Sequence, residues 1–207
     1  MTLGGEGYGI ENAYLTKVTV VCQFNNVFRF KFEEDKALSA LLYISRALLA
    51  GRFKSDLHKI FKIMYFADMK HMVRYGRSIT KDFYIAMADG PVPSQIYDIA
   101  KAVRGDSKLC VPGKYAEFFE VRGKYIVVPK IEPNMEELSR SDIECINESL
   151  RENQGLSYTQ LKRKSHDKAY DNADGNRNSE ISPKDIAKVG GADERVLVYI
   201  QETSRIQ

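Results

Sequence analysis

The pattern of apolar and polar positions divides the chain into a short unpatterned start, an alternating segment and a long helical region. Residues 1–12 hold four glycines and no hydrophobic period, and read as a flexible leader. Over residues 13–32 apolar side chains alternate. Val18, Val20, Cys22 and Phe24 share one face, and Phe28, Phe30 and Phe32 follow Asn25-Asn26. A two-residue turn would pair Phe28 with Gln23 and set the apolar faces on opposite sides. A three-residue loop, Asn25-Asn26-Val27, pairs Phe24 with Phe28 and Cys22 with Phe30. The expectation is a β-hairpin with the longer loop, forming an N-terminal extension (13–34) to a domain over residues 35–207.

Residues 36–50 place Leu38, Leu41, Leu42, Ser45 and Leu49 at helical spacing, closed by Gly51. The next helix starts from Ser55 as N-cap and stops before Gly76. Leu57, Ile60, Phe61, Met64, Tyr65, Met72 and Tyr75 run along one stripe, and this should be the longest element. Residues 83–88 read as a strand entering a stiff turn, Asp89-Gly90-Pro91-Val92-Pro93, before helical periodicity returns over 94–103. Residues 117–121 and 125–128 flank Arg122-Gly123-Lys124 as a second hairpin. A helix follows from Ser139 or Ser141 to about Glu152, Ser141 and Glu144 having capping-box spacing. Ser157 and Gln160 repeat that spacing for a helix ending near His166. Residues 171–180 read as a loop, and Ser182-Pro183 opens a short helix over 183–188 before a last one over 193–204. The fold class is α+β and predominantly α-helical: a compact bundle of six or seven helices around residues 55–75, with two small β-hairpins at its margin.

Composition narrows the classes. With 207 residues, 43% hydrophobic and 29% charged, the chain can bury a core and is not a disordered polymer. No apolar run approaches the ~18 residues of a membrane span, and the N-terminus lacks a secretory layout, so a cytoplasmic location is expected. Cys22, Cys110 and Cys145 are odd in number and lack a C-x-x-C spacing, which argues against disulfides and structural zinc. The net charge of +3 does not call for nucleic acid.

Candidate chemistry centres on Asp68, His71 and Tyr75, three and four residues apart on one helix face. His166 and Asp167, at a later helix end, could join them, giving two histidines and two carboxylates for a metal or hydrolytic site. Against this, there is no H-E-x-x-H, His58 is the only other histidine, and no serine stands in a nucleophile elbow. The 89–93 turn, flanked by Tyr84 and Tyr97, offers rigid aromatic area of the kind partner interfaces use, and equally reads as a tight connection. Lys162-Arg163-Lys164 with Lys168 is the densest basic cluster, and four charges attract phosphate only weakly. Cys145 reads as a small core residue.

Taken in order, several motifs resemble one known family. His58-Lys59-Ile60 through Tyr65-Phe66-Ala67-Asp68, His71, Arg74-Tyr75-Gly76-Arg77, Ile79-Thr80 and Tyr84-Ile85-Ala86-Met87 are similar to the Panacea domain, also called SocA-like. Asp89-Gly90-Pro91-Val92-Pro93, Ile96-Tyr97-Asp98, Leu138-Ser139 with Asp142, Ser165-His166-Asp167 and Ile181-Ser182-Pro183 with Asp185-Ile186 continue the resemblance, over residues 36–202. Ala88-Asp89 and Tyr170 depart from it, the family more often having lysine or tryptophan and tyrosine before the Gly-Pro, and tryptophan at the position of Tyr170. The resemblance implies an antitoxin-type domain of bacterial and phage toxin–antitoxin pairs, without enzymatic activity or cofactor. Its implied partner is a cognate toxin encoded next door, neutralised by direct contact, or a protease to which a toxin is delivered by an adaptor. On this view Asp68, His71, Tyr75, Tyr84, the Asp89–Pro93 turn (Asp89, Gly90, Pro91, Val92, Pro93), Tyr97 and His166 form a patch that contacts the toxin or braces the loop that does. The rivals are a metal-dependent or hydrolytic enzyme using Asp68, His71 and His166, and a nucleic-acid-binding regulator.

Overall fold

The computed structural model describes residues 32–106, 113–173 and 179–203. The leader and all but the last residue of the expected 13–32 hairpin lie outside these. The described chain runs α1 (Glu34–Ala50), α2 (Leu57–Tyr75), β1 (Tyr84–Met87), β2 (Gly90–Pro93), α3 (Ser94–Arg104), β3 (Phe119–Arg122), β4 (Ile126–Pro129), α4 (Arg140–Asn153), α5 (Tyr158–Ser165), α6 (Lys168–Ala173), β5 (Glu180–Ile181), α7 (Pro183–Val189) and α8 (Glu194–Thr203). The fold is α+β and predominantly helical, with eight helices among the described residues.

α2 is the longest element and the organising one. It was expected to show one apolar stripe, yet its residues from Ile60 to Asp68 are buried without a break. The reason is that α2 separates two cores. Ile60, Phe61, Ile63, Met64 and Ala67 join a core built with α1, α3, α4 and the β3–β4 hairpin. Tyr65, Phe66 and Met72 join a second one with Tyr84, Tyr170, Ile186, Leu197 and Ile200. A stretch of helix packed on both sides has no solvent face to leave polar. Arg74 ties α2 to α4 through a two-pronged pair with Glu148 at 2.8 and 2.6 Å, and Ser149 Oγ donates to the Ile63 carbonyl at 2.7 Å.

Several helix ends differ from expectation by a residue or two. The N-cap of α2 is Asp56, whose carboxylate accepts from Lys59 N at 2.9 Å, while Ser55 Oγ lies 2.6 Å from Ser45 Oγ. Gly76 closes α2 in the left-handed region, as its position implied, whereas Gly51 after α1 has φ −77°. The capping box of α4 is Ser139 with Asp142, not Ser141 with Glu144, and that of α5 is Ser157 with Gln160. α6 occupies the start of a stretch read as loop.

Both small sheets are antiparallel. β3 and β4 flank the Arg122-Gly123-Lys124 turn where the second hairpin was expected. The other sheet has the order β2-β1-β5. Here residues 90–93, expected as part of a turn, form a strand instead: Met87 pairs with Gly90 and Ile85 with Val92. Proline at 91 and 93 is compatible with a strand because of register. Ala86 N donates away from β2, to Ser179 O at 2.9 Å, so Pro91 opposite it stands where no ladder N–H is needed.

Candidate functional site

Asp68, His71 and Tyr75 do share a face of α2, and the structure uses the first two as internal fasteners. Asp68 is 1% exposed. Its carboxylate accepts from Ile79 N at 2.7 Å and from the Tyr84 hydroxyl at 2.7 Å, which ties α2 to the following loop and to β1. Burial pushes Asp68 up to about 6, against the pull of those two donors. His71 is fully buried. Its Nδ1 donates to the Arg77 carbonyl at 2.8 Å, and Nε2 lies 3.0 Å from Asp142 Oδ1 and 3.2 Å from Ser141 Oγ at the start of α4. Burial raises Asp142, but the bonds from His71 and Ser139, with Lys36 nearby, outweigh it and hold its carboxyl well below the usual range. Tyr75 is exposed, its ring 4.6 Å from that of His71.

The β1–β2 hairpin is fastened from behind by a residue that periodicity passed over. Lys62 lies within the apolar run of α2 and is 1% exposed. Its Nζ donates to the Pro91 carbonyl at 2.8 Å, and burial pulls its pKa down to about 7, partly offset by the charge of Asp89. Gly90 makes that approach possible. Its φ is +98°, and a Cβ there would lie 2.6 Å from Ser165 Oγ and 3.0 Å from Lys62 Nζ. At the other end of β2, Pro93 occupies the N-cap position of α3 without a capping side chain. Asp82 supplies the missing acceptor, taking N–H groups from Phe83 at 2.8 Å, Gln95 at 3.1 Å and Ile96 at 3.0 Å. Burial pushes Asp82 up to about 7 against these bonds. Tyr97 packs edge-on against Phe61, with Lys101 above its ring.

His166 stacks on Tyr170 at 4.1 Å, and the Tyr170 hydroxyl donates to the Met87 carbonyl at 2.9 Å. Asp167 accepts from the Tyr65 hydroxyl at 2.9 Å and from the backbone of α6. Among the described residues no group of three His, Cys, Asp or Glu side chains is placed to hold a metal ion. In the basic cluster, Lys162 pairs with Asp89 at 2.9 Å, and Lys164 donates to Asn153 Oδ1 at 2.7 Å and covers Phe66. The sequence-derived site residues thus do not make one exposed patch. Asp68, His71, Tyr84, Gly90, Pro91 and Pro93 are buried, Val92, Tyr97 and His166 partly so, and Asp89 and Tyr75 face outward.

Asp89 does border an open cleft of about 690 Å³ between the start of α2, the β3–β4 turn and α5. Tyr125, Ile126 and Tyr158 line it and are 60%, 40% and 51% exposed, with Leu161 as its floor. The Tyr158 hydroxyl and Lys162 hold Asp89 below the usual carboxylate range. The His58 ring lies 4.1 Å from that of Tyr158, tilted by 31°, and burial pulls its pKa down to about 4, so the ring is neutral at physiological pH.

Residues 60–170, more than half of the chain, match the family described as antitoxin SocA-like, Panacea domain. The chain belongs to this family. Neither the curated proteins nor the solved structures provide a match. The Panacea span runs from within α2 into α6, and so contains Lys62, the Asp68–Tyr84 bond, the His71–Asp142 pair and the β1–β2 hairpin. The segments that complete the two cores, α1 on one side and α7 and α8 on the other, lie outside it. Lys62 and Asp82 were missed as key positions of this Panacea domain, and Asp142 was quoted as part of a motif but not as a site residue. A lysine embedded in an unbroken apolar run, and a proline where a helix needs a cap, were the available signals.

Proposed function

We propose that this protein is an antitoxin that neutralises a toxin encoded beside it, by direct contact. Membership of the SocA-like antitoxin family carries the reading. The internal use of the polar residues agrees with it. Asp68, His71, Asp142 and Asp82 spend their hydrogen-bonding capacity on the protein's own helices and strands, as bracing for a rigid binding surface requires.

The test is co-expression of this chain with each neighbouring gene whose product arrests growth. Rescue together with an isolable complex and an unchanged toxin level is the expected result. Rescue that depends on a cellular protease and lowers the toxin level would replace blocking by delivery. If no adjacent toxic gene is neutralised, the antitoxin reading falls.

A further inference from the structure

β2 is tied to the helix behind it by one hydrogen bond. Pro91 and Pro93 carry no N–H, and the N–H groups of Gly90 and Val92 face β1, so β2 offers α2 only carbonyls. Among the described residues the bond from Lys62 Nζ to the Pro91 carbonyl, at 2.8 Å, is the only hydrogen bond from α2 to this strand. The amine that makes it is 1% exposed and, among the described residues, forms no ion pair. A neutral amine meets one acceptor without strain on its hydrogen bonding, whereas an ammonium in the same place brings three N–H donors and a charge to a single carbonyl. The charged groups around it supply no free counterion. Asp89 favours the charged form but is held by Lys162 and Tyr158, Lys162 opposes it, and His58, one turn earlier on α2, is neutral at physiological pH. The way to solvent is short, because Ala88 and Asp89, next to Gly90, are exposed.

We propose that the β1–β2 hairpin is a proton-controlled latch: Lys62 holds β2 down as a neutral amine, and on taking a proton from solvent it leaves the Pro91 carbonyl for water while β2 lifts from α2 and β1. Lifting uncovers the main-chain groups of Ile85 and Met87 that pair with β2, which then stand as an open strand edge. The direction follows from the two forms of the amine. With β2 closed its pKa is about 7, and in water it has the ordinary 10.5, so between these values the open form binds more protons. Opening therefore becomes rarer as pH rises from about 7, and below that pH it changes no further. The latch goes beyond the antitoxin reading and does not rest on it.

Hydrogen exchange of the full chain tests this, expressed as protection factors so that the intrinsic pH dependence of exchange is removed. At pH 7 the amides of Met87, Gly90 and Val92 should be less protected than those in the middle of α4 and nearly insensitive to low urea, as local opening requires. Between pH 7 and pH 9 their protection should rise about 50-fold. Lys62→Met removes the titrating group, and Lys62→Gln does so while keeping a donor for the Pro91 carbonyl. In both variants protection of these amides should be the same at the two pH values. Exchange at the rate and with the urea dependence of α4 would mean that β2 opens only with the whole molecule, and overturns the latch. A wild-type hairpin indifferent to pH, or a pH response that persists in the variants, overturns it as well.

Discussion

At the scale of single residues, Gly90 carries two requirements that can be separated. Its φ of +98° disfavours any side chain, and Ser165 and Lys62 occupy the space a Cβ would take. Gly105 has a similar φ of +83° with none of the described residues within 4 Å of its Cβ position. Gly105→Ala should therefore cost about 1 kcal/mol, the backbone penalty alone, and Gly90→Ala about 3 kcal/mol, in urea unfolding. Equal losses would mean that the close approach of Lys62 and Ser165 contributes nothing. Lys62 itself shows why a motif is not an explanation. The Gly-Pro-Val-Pro string was legible from the sequence, but the buried amine that fastens its carbonyl comes from a helix nearly thirty positions earlier. Only packing reveals it.

At the scale of elements, periodicity and end signals located the helices because caps and glycines act locally. The Ser157–Gln160 box and the left-handed Gly76 are local features and were read as such. What failed was non-local. Residues 90–93 form a strand because their register against β1 places both prolines where the ladder needs no N–H, and β1 in turn pairs with the distant β5. The start of α3 is likewise completed from afar by Asp82. Asp82→Ala should speed amide exchange in the first turn of α3 well beyond that in α4 and cost about 2 kcal/mol. Uniform protection across both helices would show that α3 does not depend on this carboxylate. The candidate site was legible to the same degree: Asp68, His71 and Asp89 stood out by chemistry, but whether each faces inward or outward depends on which elements pack on α2.

At the scale of the whole molecule, the buried amine links folding to pH. The pKa of Lys62 is near 7 in the folded protein and at the ordinary lysine value of 10.5 when unfolded. Between these the unfolded chain holds more protons, so stability rises with pH. From about pH 7 to pH 9 the gain should be about 2 kcal/mol in urea unfolding, and Lys62→Met should abolish it. A wild-type profile as flat as that of the variant would place Lys62 in contact with solvent. The two cores on either side of α2 have one more implication, for how such a protein can diverge. The stretch of α2 from Ile60 to Asp68 has no outer face and tolerates little change, because almost every substitution along it disturbs one core or the other. Freedom to acquire new partners is then confined to the periphery: the tip of the β1–β2 hairpin, the β3–β4 turn and the first turn of α5. The same architecture that makes the centre intolerant of change leaves these exposed turns as the positions where the scaffold can vary without loss of its fold.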